Sequence, residues 1–293
     1  MEFLAYLING ISLGSIYAII ALGYTMVYGI ARMLNFAHGD IIMIGGYVAF
    51  IAFTSLNLPT IVSILLSIIV CAVLGVTIER LAYKPLRQAS SLSVLITAIG
   101  VSYFLQNSAQ LLFGAENKMF PNLLPNGNIK LFNGQLSISY LTIITICTCL
   151  IVMICLTLFV QKTKVGKAMR ACSEDKEAAS LMGINVNKTI SLTFAIGSGL
   201  AAIASILLCT TYPSLSSSLG SMPGIKAFTA AVFGGIGSIP GALVGGLLLG
   251  IVENLSKAYI STQLSDVIVF GVLIIVLLIK PSGLLGKNKN EKV

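Results

Sequence analysis

Arg32, Asn35, His38 and Asp40 lie within nine residues of one another, in the stretch YGIARMLNFAHGDIIMIGGY at 28–47. Apolar runs flank them on both sides, and Gly39 can bend the chain between the imidazole and the carboxylate. Groups of these types could bind a metal, move a proton or hold a solute. Metal and acid–base chemistry fail on numbers. His38 is the only histidine in 293 residues and no two carboxylates are paired in this stretch, whereas a metal needs a ligand set and general acid–base work a matched couple. No catalytic, metal or cofactor site is expected, and the chain is not read as an enzyme. Two readings of the stretch stay open. It is an ordinary polar loop between spans, or a break at membrane depth where Asn35, His38, Gly39 and Asp40 line a solute path, since ionisable groups inside a membrane are costly and mark such paths.

Nucleotide chemistry fails as well. A phosphate-cradling loop requires GxxxxGK[ST]. At Gly166-Lys167 the first glycine position holds Gln161 and Ala168 follows the lysine; at Gly286-Lys287 the same positions hold Pro281 and Asn288. If ATP drives this protein, the ATPase is a separate chain. The cysteines (Cys71, Cys147, Cys149, Cys155, Cys172, Cys209) mostly sit in apolar runs without CxxC spacing and read as small apolar filler. None of the ten carboxylates occupies the middle of a long apolar run. That counts against an ion-driven carrier, although sodium sites built from carbonyls stay open.

A second polar region is denser. The window 161–188 holds Lys162, Lys164, Lys167, Arg170, Glu174, Asp175, Lys176, Glu177 and Lys188, nine of the chain's 18 basic and 10 acidic residues. Ala168, Ala171, Cys172, Ala179 and Met182 recur near three- and four-residue spacings, which predicts one short helix with a small apolar stripe. Gly183 stands where such a helix would end. A stripe of this kind could seat in a groove of another protein; a solvated helix lying on lipid headgroups is the other reading.

The elements that must position both regions are membrane spans. The chain is 56% hydrophobic and 10% charged, with mean hydropathy +0.97, against about 25% charged residues in a soluble domain. Charge-free stretches cover 3–31, 41–78, 88–115, 131–161, 189–225, 227–252 and 267–279, and a spanning helix needs roughly 20 apolar residues. They lack period-two alternation, which disfavours a β-barrel. The expected fold is all-α: one transmembrane domain over 1–293, a helical bundle of about eight membrane segments with one or two broken or re-entrant helices. The first run is too long for a removable signal and opens on Glu2 rather than a basic residue.

Basic residues set the orientation. Thirteen of the 18 fall in three segments: Arg80, Lys84 and Arg87; the six of the island; and Lys280, Lys287, Lys289 and Lys292. All three are placed in the cytoplasm. The +8 net charge then reports topology, and no nucleic-acid partner is expected. Spans near 91–113, 138–160 and 190–211 alternate correctly, but the tail returns inside only if KAFTAAVFGGIGSIPGALVGGLLLGIVEN enters and turns back. Gly234, Gly235, Gly237, Pro240 and Gly241 interrupt that run, so it reads as a broken pair, followed by a last crossing near 260–280. Gly235, Gly237 and Pro240 join the path candidates. The four-residue spacing of Gly237, Gly241 and Gly245, continued by Gly246 and Gly250, points foremost to close helix packing. The side of the N-terminus stays undetermined.

Several blocks together resemble a known family. Glu177-Ala178-Ala179 followed by Gly183 is similar to the EAA-x-x-x-G core of the cytoplasmic loop in permease subunits of ABC importers. LGYTMVYGI with NFAHGD, CSEDKEAASLMGINV, FGGIGSIPGALVGG and the closing KPSGLLG resemble the branch that imports branched-chain amino acids, the LivH-type permeases, over about residues 10–286. The proline that usually follows the EAA loop is absent from TISLTFAIG, and Asp40 stands where Glu is often found. The resemblance implies a coupling loop at 161–188, with Arg170, Glu174, Glu177, Ala178, Ala179 and Gly183 docking on the ATPase. It also implies a bacterial inner-membrane assembly of a second homologous permease subunit, two cytoplasmic ABC ATPase subunits and an extracytoplasmic solute-binding protein, set in membrane lipid. Another small solute (a sugar, urea or short amide) and a stand-alone secondary carrier are the alternatives.

Overall fold

The computed structural model describes residues 2–125, 127–131 and 136–286. Lys287, Lys289 and Lys292 of the basic tail, and Asn126 and 132–135 of the Asn/Pro/Gly-rich turn region, lie outside the described residues. Eleven α-helices follow one another among those described: α1 (Glu2–Ala31), α2 (His38–Thr54), α3 (Thr60–Ile78), α4 (Ser91–Phe113), α5 (Tyr140–Lys162), α6 (Lys164–Glu174), α7 (Lys176–Leu181), α8 (Val186–Thr211), α9 (Ser221–Gly234), α10 (Ile239–Tyr259) and α11 (Ser265–Ile279). A π-helical turn (Glu79–Tyr83) and a 3-10 turn (Lys84–Leu86) prolong α3. Six helices are long and apolar enough to cross a membrane: α1, α3 with its extension, α4, α5, α8 and α10. Two more, α2 and α11, are apolar but shorter, at 17 and 15 residues. The chain is a polytopic α-helical membrane protein, the arrangement that satisfies backbone hydrogen bonds internally when no water is present.

The bundle is built around α1, which packs most extensively on α10 and then on α8, α9 and α5. From Ser12 to Val27 every α1 residue is buried, which explains why its hydrophobicity runs all round the helix instead of along one stripe. By contrast α3, α4, α5 and α11 leave large apolar side chains such as Ile61, Ile69, Phe104, Leu111, Ile151 and Leu278 exposed, as lipid-facing helices do. The glycines of α10 serve two faces. Gly246 and Gly250 meet Ala18 and Gly14 of α1, whereas Gly241 and Gly245 meet Gly234 and Ala230 of α9. Gly237 precedes the helix and belongs to the turn before it.

Contacts along the chain fix which ends lie together. Lys176 reaches Ala31, Arg87 reaches Asn187, and Leu284 N–H donates to Phe233 O at 2.9 Å. The turn after α3, the charged island and Lys280 therefore share one end of the bundle, the clustering that the basic residues alone suggested. At the other end the strands β1 (Lys118–Met119) and β2 (Ser214–Leu215) pair. Tyr6 stacks edge-on against Tyr259 there, with ring centroids 5.8 Å apart, and Asn254 Nδ2 donates to Tyr6 O at 2.5 Å. The start of α1 thus lies at the end of the bundle opposite the island.

Two regions interrupt the bundle. Residues 32–37 are non-helical between α1 and α2, and 235–238 separate α9 from α10. Gly234 and Ala230 sit against Gly241 and Gly245, so α9 and α10 form an antiparallel pair, the enter-and-return geometry expected for this run. His38 begins α2 beside Tyr24, not beside Ala31. The chain has climbed back along α1 by seven residues, about 10 Å at 1.5 Å per residue, before α2 starts.

Candidate functional site

The N-terminal ends of α2 and α9 meet inside the bundle. Gly39 lies against Gly220 and Gly224 so closely that a Cβ on Gly39 would stand 2.5 Å from Gly220 O, and one on Gly220 would overlap the Gly39 carbonyl. Two helix N-termini, with their positive dipole ends, converge here. Asp40, in the first turn of α2, supplies negative charge at that point. Its Oδ1 accepts from Gln106 Nε2 at 2.8 Å, and Gln106 also reaches Ser102 and Ser221 of α4 and α9.

Asn35, His38 and Asp40 are all buried, at 3%, 1% and 2% exposure, so the stretch is not a solvated loop. Asn35 Oδ1 accepts from Tyr83 OH at 2.9 Å, and the His38 ring packs edge-on against Tyr24 at 4.6 Å. Asn35 Nδ2 and His38 Nε2 have no hydrogen-bond partner among the described residues. Buried polar atoms without partners are uncommon and call for an explanation.

The second set of path candidates sits elsewhere. Gly235 and Gly237 take φ of +105° and +93°, conformations that only glycine adopts freely. Ser238 Oγ accepts from Gly241 N–H at 3.2 Å, capping α10, whose early proline is Pro240. These residues form a tight turn at the island end of the bundle, against Gly29 of α1 and under Leu284 and Leu285. Of this turn, Ile236 alone reaches the small space bordered by Asn35 and His38. Gly235, Gly237 and Pro240 do not join Asp40.

The island folds differently from the single helix expected. Asp175 has extended backbone dihedrals (φ −148°, ψ 118°) and splits it into α6 and α7. Its carboxylate caps α7 by accepting from Glu177 N–H at 2.8 Å and Ala178 N–H at 3.1 Å, the role for which a short acidic side chain is favoured. Gly183, at φ +80°, ends α7: Ile184 N–H reaches back to Ala179 O at 3.0 Å, as in a Schellman turn. The apolar stripe is also placed otherwise than expected. Met169, Cys172 and Ala179 are buried against the chain's own bundle, whereas Leu181 and Met182 stand out at 89% and 83% exposure. Spacing alone had merged two helices whose axes differ, so the face it predicted for a partner is the face that anchors the loop. Arg170, Glu174, Glu177, Ala178 and Gly183 are exposed and Ala179 is not.

Two reciprocal caps tie this loop to the first break. Arg32 Nη2 donates to Ser173 O at 2.8 Å and Glu174 O at 3.3 Å, at the C-terminus of α6. Lys176 Nζ donates to Ala31 O at 2.8 Å, at the C-terminus of α1. Arg32, just past α1, thus meets the negative end of α6, and Lys176, the first residue of α7, meets the negative end of α1. Arg32 itself has φ +55°, a conformation uncommon outside glycine. Burial, reinforced by Arg32 and Arg87, holds the Lys176 ammonium below the usual lysine value.

Sequence reasoning missed the buried charges. Glu79 and Glu253 flank apolar runs in sequence, yet they are 0% and 1% exposed. Glu79 pairs with Arg87 and accepts from Ser191 Oγ at 2.6 Å. Glu253 accepts from Lys226 Nζ at 2.9 Å, Lys257 Nζ at 2.6 Å and Tyr17 OH at 2.9 Å. The absence of mid-run carboxylates was therefore a poor guide to burial: helix ends here lie inside protein. The i,i+4 spacing of Glu253 and Lys257 was the available signal.

A family profile described as the branched-chain amino acid transport system permease component matches residues 6–277. The chain is 48% identical over 303 residues to the high-affinity branched-chain amino acid transport system permease protein BraD of Pseudomonas aeruginosa, covering 100% of this chain and 98% of that protein. Its identity to LivH of Escherichia coli K12, a protein of the same description, is 45% over 311 residues, at 100% and 98% coverage. A probable branched-chain amino acid transport permease protein LivH of Methanocaldococcus jannaschii is 29% identical over 282 residues, at 92% and 88% coverage.

Proposed function

This chain belongs to the branched-chain amino acid transport permease family, and from that premise we propose that it forms, with a second homologous permease subunit, the membrane path for leucine, isoleucine and valine. It is a transport subunit, not an enzyme. Two cytoplasmic ATPases supply the work, an extracytoplasmic binding protein delivers the solute, and the assembly sits in a bacterial inner membrane. The island is cytoplasmic and the N-terminus extracytoplasmic. The paired starts of α2 and α9 are half-crossings that meet in mid-membrane, around Gly39 and Gly220. Counted so, the described residues pass the bilayer nine times, one more than the sequence suggested, because the segment after α1 climbs back before α2 begins.

One observation carries the mechanism: the reciprocal caps Arg32–α6 and Lys176–α1. The ATPase grips the exposed Leu181–Met182 tip and the Glu177-Ala178 surface beside it. When the nucleotide-bound ATPases close, the island is displaced, and its polar attachments pass the displacement to residues 32–40 and, through Arg87 and Asn187, to α3 and α8. The unpartnered Asn35 and His38 atoms belong to a segment that has a second arrangement in which they are satisfied. Alternating access then follows from rearrangement of the α2–α9 junction, and not from an ion gradient.

The test is leucine uptake by cells in which the binding protein, the second permease and the ATPases are present with and without this chain. In the same cells the double substitution Leu181→Ser/Met182→Ser should release the ATPases, with this subunit still inserted. Uptake by the reconstituted chain alone, driven by sodium or protons, would sink the reading.

A further inference from the structure

A cavity of about 250 Å³ opens near the outer end of the bundle, between α1, α8, α9 and α10. It lies on the side of α9 away from Asp40 and Gln106, and nothing in the coupling mechanism uses it. Its size lies just below the roughly 300–1,000 Å³ of drug-binding pockets, which suits one small solute. Leu13, Leu208, Leu219 and Met222 give it an apolar wall, and Tyr17, Lys226, Glu253 and Lys257 a polar one.

The polar wall is electrically balanced. Lys226 bridges Glu253 at 2.9 Å and Asp266 at 2.6 Å, and Lys257 meets Glu253 at 2.6 Å. Two cations face two carboxylates. Each ammonium has three donors and each carboxylate about four acceptor positions. Lys226 therefore keeps one donor free, Lys257 two, and Glu253 one acceptor position after its bonds to Tyr17, Lys226 and Lys257. Spare donors for a carboxylate and a spare acceptor for an ammonium thus sit beside an aliphatic surface.

We infer that this cavity is a binding site, on the permease itself, for a zwitterionic α-amino acid with an aliphatic side chain. Its carboxylate takes the free donors of Lys226 and Lys257, its ammonium takes Glu253, and its side chain lies on Met222 and Leu219. A balanced quartet accepts a zwitterion without leaving an unpaired charge in a poorly solvated place. A solute with a net charge leaves one, at a large energetic penalty. The site is a selectivity filter for neutral amino acids on the outer side of the junction, independent of the binding protein. This rests on the proposed transport function and extends it.

The experiment uses the full chain in lipid nanodiscs with tritiated L-leucine as probe. Leucine should bind, valine and isoleucine should displace it, and leucinamide or 4-methylpentanoate, each with one charge missing, should not. Met222→Trp fills the cavity from an exposed position without touching the quartet, and Lys257→Met removes free donors at a half-buried one; each should weaken binding at least tenfold. Equal competition by leucinamide, or unchanged binding in both variants, overturns the site while leucine transport by the intact assembly still stands. An intact assembly that carries some other solute and no leucine overturns the transport reading and the site together.

Discussion

The two interruptions of the bundle solve one problem in opposite ways. At 235–238 the chain turns mainly with backbone. Two left-handed glycines make the bend, Ser238 caps the next helix, and Leu284 and Leu285 donate to Phe233 O and Gly234 O at 2.9 Å. At 32–40 the chain turns with side chains instead: Arg32 is held by the charged island, Asn35 by Tyr83 and Asp40 by Gln106, and two buried polar atoms are left over. The first turn is held by the backbone of one other segment, whereas the second is wired through side chains to three other elements. A turn of that second kind can report a distant movement; one of the first kind serves as a fixed pivot.

The contrast can be broken first at the contact it depends on most. Gly220→Val should remove the subunit from the membrane fraction, because even one Cβ there overlaps the Gly39 carbonyl and overpacking costs about 1–3 kcal/mol or more where backbone cannot move. Immunoblotting of membranes reads it; a normal level of active protein would show that the two helix starts are not in contact. Arg32→Ala comes next. It removes hydrogen bonds to a charged group worth about 1.5–3 kcal/mol, so uptake should fall about tenfold or more with the ATPases still bound. Equal loss of ATPase co-purification would make Arg32 part of the docking surface instead of the wire.

The fixed pivot should behave otherwise. Gly235→Ala forces a side chain into positive φ at about 1–2 kcal/mol and also presses it against the backbone of Leu285 and Gly286; it should lower the melting temperature in detergent, and the protein that survives should transport normally. Smallest is Tyr83→Phe, which frees Asn35 Oδ1 at about 1 kcal/mol. Its effect should appear in the nucleotide-dependent cysteine accessibility of positions 33–37 more than in stability. A matching change at 236–238 would erase the distinction between the turns.

Most of the architecture was legible because lipid-depth helices announce themselves. The span expected at 91–113 is α4 (Ser91–Phe113), and the broken pair was forced by charge counting before any contact was known. What stayed hidden was anything decided by packing. The stripe of Ala168, Cys172 and Ala179 looked like a partner face, since periodicity cannot say which surface lies opposite, nor that Asp175 would split the helix. Glu253, at the edge of an apolar run, gave no sign of burial because a single chain pattern contains no neighbours. The juxtaposition of Gly39 with Gly220 links positions 181 residues apart in sequence, and no local signal carries that.

The last described residues, Leu284 to Gly286, cover the α9–α10 turn, and this sets an order of events during biosynthesis. Until translation has passed Gly286 and α11 has been inserted, the carbonyls of Phe233 and Gly234 stay open, each at about 1–3 kcal/mol if shielded from water. The hairpin can therefore mature only after residue 286 has left the ribosome. A stop codon at Lys280 should leave a nascent subunit that enters the bilayer and is then cleared by quality-control proteases.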